Sequence, residues 1–136
     1  MPQTPDRAQV LNDSLERLAG NPTFFTRFYE LFLDSSDEVR EKFKDTDLER
    51  QIRTLKASFY HILLAARGDS AAHDQLEPIA RRHSRFQLNV RPELYRQWLD
   101  CLLRAVEECD PRFKPEVEQA WRDTMEWGIR FMMSRY

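Results

Sequence analysis

Five times along this chain, a helix-opening signal precedes a run of apolar residues spaced three and four apart. Thr4-Pro5 joins a capping hydroxyl to a proline suited to a first helical turn. Val10, Leu11, Leu15 and Leu18 form the stripe that follows, and Gly20 closes it. Asn21-Pro22 repeats the signal ahead of Phe24, Phe25, Phe28, Leu31 and Phe32. Thr46-Asp47-Leu48-Glu49 reads as a capping box, and Leu48, Ile52, Leu55, Phe59, Ile62 and Leu63 then hold a helical period. Arg91-Pro92-Glu93 opens a helix with Tyr95, Trp98, Leu99, Leu102 and Val106 inward, which Asp110-Pro111 stops. Lys114-Pro115-Glu116 opens the last, through Val117, Trp121, Met125 and Phe131.

Between these come two shorter segments. Asp34-Ser35-Ser36-Asp37 breaks the second helix, and a brief one follows through Val39 to Phe43. Arg67-Gly68-Asp69-Ser70 ends the long Leu48 stripe; beyond it, a helix from about Ala71 to Arg85 carries Leu76, Ile79, Ala80 and His83 on one face. Phe86-Gln87-Leu88-Asn89-Val90 is non-periodic. Six or seven helices with short connections predict a single all-α domain over residues 1–136.

Composition agrees by exclusion. Glycine occurs 3 times in 136 residues, far below the usual ~7%. With no Asn-Gly, Asp-Gly or Gly-Gly pair, the chain lacks the turns of a hairpin-built sheet. The isolated glycines also exclude a P-loop or dinucleotide fingerprint. A formal charge of −2, with acids and bases interleaved, argues against a nucleic-acid grip. The longest apolar run, Ile62 to Ala66, is far short of the ~20 residues that span a bilayer. The opening Met1-Pro2-Gln3-Thr4-Pro5-Asp6 has neither the basic start nor the apolar core of a secretion signal. Cys101 and Cys109 fall on one predicted helix, ~12 Å apart by helical rise, too far for a disulfide. Reduced thiols and a cytoplasmic location are expected, and no Cys-x-x-Cys pair offers a zinc site.

The mixed helix lengths do not suit an even four-helix bundle, and the short Val39–Phe43 segment implies a chain that bends around something. Phe43 at that corner either caps the core or lies against a flat ligand. Read alone, His83 is a core or rim histidine, Tyr29 a core tyrosine with its hydroxyl tied to backbone, and Gln51 a solvated helix residue. Trp98, Trp121, Trp127 and Phe131 read as core.

Taken together, Phe28-Tyr29, Glu38-Val39-Arg40-Glu41-Lys42-Phe43, the capped helix with Gln51 and Leu55, His83, and Arg91-Pro92-Glu93-Leu94-Tyr95 resemble a bacterial haemoglobin. The likeness is to single-domain globins related to the haem domain of flavohaemoglobins, and it runs from about Phe24 to the end. It implies a globin fold around non-covalently held haem b. His83 falls where globins place the proximal iron ligand, and Phe43 at the corner phenylalanine that packs on the porphyrin. Tyr29 falls at the distal tyrosine that donates to a bound gas, Gln51 at the distal position usually held by His or Gln, and Leu55 at the apolar residue one turn on. Tyr95 falls at the proximal-side tyrosine, and Val90 is counted with Phe43, Leu55 and Tyr95 among the haem-contacting residues.

The residues are consistent with this. Gln51 and Leu55 point within about 40° of each other on one helical face, and of the three histidines only His83 shares a face with Leu76, Ile79 and Ala80. The link from Phe43 to Gln51 is shorter than in myoglobin-like globins, so Arg50 or Ile52 are the alternative occupants of the distal position. Arg50, Arg53, Arg81, Arg82, Arg85 and Arg91 flank the expected pocket as candidate partners of the haem propionates. Flavohaemoglobins pair the proximal tyrosine with a glutamate on the last helix; here no acid follows Glu126, and Tyr136 stands near that place.

The function implied is reversible binding of dioxygen or another diatomic gas, for binding, storage or transport rather than catalysis. The alternatives are a nitric oxide dioxygenase supplied by a separate reductase, and a gas-sensing or haem-free interaction module.

Overall fold

A computed structural model describes residues 6–84 and 88–136; Thr4, Pro5, Arg85, Phe86 and Gln87 lie outside the described residues. Seven helices account for most of the chain, and there is no strand among the described residues. They are α1 (Arg7–Ala19), α2 (Pro22–Ser35), α3 (Asp37–Phe43), α4 (Leu48–Ala66), α5 (Ser70–His83), α6 (Pro92–Cys109) and α7 (Pro115–Ser134).

The starts of these helices show which local chemistry prevails. Asn21 accepts a hydrogen bond from the Thr23 amide ahead of Pro22, as its sequence signal requires. α6 and α7 begin on Pro92 and Pro115, with no side-chain cap bond. At α4 the cap is Asp47, whose carboxylate accepts from the Arg50 amide. The capping-box reading of Thr46 is therefore displaced by one residue, and Leu48 is exposed rather than part of the buried stripe. α1 is capped by Asp6. α5 is capped by Asp69 and ends on His83, two residues short of the expected Arg85. Ser36 serves twice, closing α2 and accepting from the Val39 amide to open α3, so the chain turns sharply on one residue. Gly68, at φ +96°, supplies the left-handed step between α4 and α5 that other residues rarely adopt.

α2 packs on α6, α1 on α7, and α4 against both α5 and α7. One continuous core results, with Leu11, Phe24, Phe28, Phe59 and Trp121 fully buried. Trp121 meets Phe59 edge-on at 5.4 Å. A polar pin fastens α1 to the far end of the chain. Asp110, at the end of α6, accepts two hydrogen bonds from the Arg17 guanidinium at 2.8 Å and one from the Ser14 hydroxyl at 2.6 Å. The Trp121 indole donates to Ser14 at 2.9 Å. Burial alone would raise the Asp110 carboxyl, but these donors and the Arg112 amide outweigh it and hold it below the usual range. Cys101 and Cys109 are free and half-buried on α6. No helix among the described residues is long and apolar enough to cross a membrane.

Candidate functional site

A cavity of about 170 Å³ lies where α2, α3, α4, α5, α6 and α7 converge. All seven residues singled out above line it: Tyr29, Phe43, Gln51, Leu55, His83, Val90 and Tyr95. Each arrives there for a local reason. Tyr29 lies on the buried face of α2, one residue beyond the fully buried Phe28. Phe43 closes α3 and meets the Tyr29 ring edge-on at 6.0 Å. Gln51 and Leu55 share one face of α4, and both line the cavity. Arg50 is exposed, and Ile52 packs on the core without reaching the cavity.

His83 is the last residue of α5. Its Nδ1 lies 2.7 Å from the carbonyl oxygen of Ile79, one turn earlier. A carbonyl can only accept, so Nδ1 carries the hydrogen and donates it. In the neutral ring Nε2 is then an unprotonated lone pair. Burial holds the imidazole below its usual pKa, against the Ile79 hydrogen bond and with Arg82 adding to the depression. The neutral tautomer is thereby favoured near pH 7.

The other polar groups are equally defined. Burial pushes the Tyr29 phenol up to about 12, with the Gln51 side chain pulling it partly back. It is a protonated donor at every ordinary pH. Burial also raises the Tyr95 phenol. The Tyr136 hydroxyl donates to the Asn89 side chain. Arg91 is occupied by Glu38, whereas Arg50, Arg53, Arg81 and Arg82 have no ion-pair partner among the described residues.

Trp98 is expected in the core from its place on the apolar stripe of α6. It is half-buried, stands edge-on to Phe28 at 6.1 Å, and also lines the cavity. Its spacing of three from Tyr95 and four from Leu94, both lining residues, was the available signal. Lys42 lines the cavity as well, yet nothing in its local pattern sets it apart from other surface lysines. His61 is half-buried on α4, and His73 sits edge-on to Phe131 at 4.7 Å; neither lines the cavity.

Such an arrangement suits a flat, mainly apolar prosthetic group carrying its own metal. The lining is dominated by aliphatic and aromatic side chains, and its one histidine presents a single nitrogen lone pair. Among the described residues, no group of three or more His, Cys, Asp or Glu could hold a bare ion, which takes several protein ligands. A porphyrin-bound iron can be held by one.

No curated protein matches the sequence significantly. Among solved structures, the chain is similar to a Pseudomonas aeruginosa PAO1 protein described as structurally highly homologous to a human hemoglobin. The identity is 40%, the TM-score is 0.91, and the alignment covers 96% of this chain and 98% of that one. The family model described as Globin matches residues 25–129, from the middle of the first buried turn of α2 to well inside α7. The chain belongs to the globin family.

Proposed function

We propose that this globin holds haem b through His83 and binds dioxygen, or a related diatomic gas, reversibly on a face lined by Tyr29 and Gln51. Haem, when bound, supplies an iron with a coordination position open to such a gas. The rest is the chain's own work. His83 offers a lone pair at Nε2 because Nδ1–H is committed to Ile79, and that hydrogen bond also fixes the ring's orientation. Tyr29 presents a phenol that does not ionise at working pH, and Gln51 presents an amide beside it. Both can donate to the partial negative charge that a polarised gas molecule develops, in a cavity where few waters compete. Leu55, Phe43, Val90 and Trp98 keep the surroundings apolar.

One observation carries this reading: a neutral imidazole, oriented by its own helix, opens onto the same apolar cavity as a buried phenol and an amide. Titrating the purified chain with haemin tests it. The expected result is a Soret band that saturates at one haemin per chain and collapses in His83→Ala. A colourless protein that takes up no haemin overturns it. Rapid nitrate formation from nitric oxide under a steady reductant would make the protein a nitric oxide dioxygenase fed by a separate reductase. Two free thiols on one helix suit a reducing compartment, and we assign the protein to the cytoplasm on that ground.

A further inference from the structure

Residues 88–91 form a short strap tied back onto the end of α5. The Leu88 amide donates to the Arg82 carbonyl at 3.0 Å, the Asn89 amide to Ser84 at 2.8 Å, and the Val90 amide to His83 at 3.0 Å. These carbonyls belong to the last turn of α5 or lie just beyond it, where a helix has no donors of its own to offer. Asn89 takes the left-handed backbone that this return needs, at φ +50°.

Three side chains grip the strap from outside α5. Lys42 donates from Nζ to the Leu88 carbonyl at 2.8 Å. Arg91 forks onto the Glu38 carboxylate, with one contact of 3.1 Å and a second, shorter one. Tyr136, two residues past α7, donates its hydroxyl to the Asn89 side chain. Glu38 and Lys42 are four apart, on one face of α3, and the next residue of α3, Phe43, lines the cavity. The grip matters more because α5 is interrupted. Pro78 sits inside it and cannot donate to the carbonyl one turn back, just before the Ile79–His83 turn.

We propose that Glu38, Lys42 and Tyr136 are positioning residues for His83. By clamping the 88–91 strap between α3 and the segment after α7, they hold the end of α5 and so aim the imidazole into the cavity. Individually, exposed contacts of this kind add little to global stability. Their effect is local, because the strap is one hydrogen bond from the His83 backbone. The proposal rests on reading His83 as the iron ligand, and its test separates the two.

Lys42→Met, Glu38→Gln and Tyr136→Phe are made singly and together in the full chain loaded with haemin, alongside His83→Ala and Lys42→Arg. Three quantities are read: the iron–histidine stretching band by resonance Raman of the reduced protein, the rate of haemin transfer to excess apomyoglobin, and the thermal midpoint. The triple variant is expected to transfer haemin about tenfold faster, with a shifted or split stretching band and a thermal midpoint close to wild type. Lys42→Arg, which keeps a donor, should leave band and transfer rate as in wild type. Tyr136→Phe loses one hydroxyl outside the cavity lining, so its smaller shift in the band reports the strap even if the triple variant folds poorly. An unchanged band and transfer rate in the clamp variants, with His83→Ala releasing haemin at once, overturns the clamp alone. A His83→Ala protein with the wild-type band overturns the ligand reading, and the clamp with it.

Discussion

Tyr29→Phe removes one oxygen atom and little else, which makes it the sharpest probe of the proposed gas-binding face. The phenyl ring keeps its edge contacts with Phe28 at 4.9 Å and Phe43 at 6.0 Å, so the cavity wall should stand and the thermal midpoint should barely move. What is lost is a donor in a site only 4% exposed. A net hydrogen bond is worth about 1 kcal/mol in ordinary surroundings, and more where water is scarce. A loss of about 1.5–2 kcal/mol raises a dissociation rate roughly 10- to 30-fold. The assay is stopped-flow displacement: oxygenated protein mixed with carbon monoxide and dithionite, and the dissociation rate read from the absorbance change. Because burial holds the phenol up to about 12, the wild-type rate should stay flat from mildly acidic to mildly alkaline pH. A donor that titrates near neutrality would instead give an inflection. Gln51→Leu should give a smaller rise, and the double variant should exceed either single. A rate within twofold of wild type in Tyr29→Phe would refute the assignment of that hydroxyl to the gas.

Other substitutions test the frame that holds the cavity. Asp110→Asn leaves Arg17 facing an amide. It should cost about 3 kcal/mol, the lower end for a broken buried pair, because Arg17 keeps a quarter of its side chain exposed; calorimetry should show roughly a 10 °C drop. The folded carboxyl lies below its unfolded value, so this contribution is present above about pH 4 and fades as pH falls through the depressed value. Wild type and variant should therefore converge in acid, and a gap that persists there would contradict the ion-pair account. Gly128→Ala places a methyl 3.1 Å from Ile62, so that side chain, which lines the cavity, must shift to admit it. Helix propensity favours the alanine by about 1 kcal/mol, so the haem-free protein should be as stable as wild type or slightly more so, while haemin uptake weakens; tighter uptake would run against this. Burial raises both thiols above their usual pKa, so Cys101 and Cys109 should react with Ellman's reagent more slowly than free cysteine at pH 7.

The features that sequence made plain are those in which a few adjacent residues decide the outcome. Asn21-Pro22, Arg91-Pro92 and Lys114-Pro115 each start a helix where the proline falls, since a fixed φ and a missing amide have one good place in a helix. Thr46 against Asp47 is harder, because two good caps stand side by side and the helix starts from the second. The buried pin of Ser14, Arg17, Asp110 and Trp121 left no local trace. It joins residues more than ninety positions apart, and each looks ordinary among its neighbours. The strap behind His83 is hidden for the same reason, since Lys42, Glu38 and Tyr136 meet it only after the chain has turned back on itself.

The cavity itself marks where periodicity stops informing. Leu55, Phe59 and Ile62 lie on one stripe of α4, and a helical pattern assigns all three to the interior without saying whether the interior is filled. Whether it is filled depends on how closely the helices approach. Gly128 bears on this: it is buried in α7, and the space its missing side chain leaves is taken by Ile62. α4 and α7 thus close tightly there, while the same two helices line open space alongside. His83 and Gln51 became interpretable only once that opening existed, because a lone pair and an amide facing solid packing would be strained core residues. Facing a common hollow, they have room for a third party.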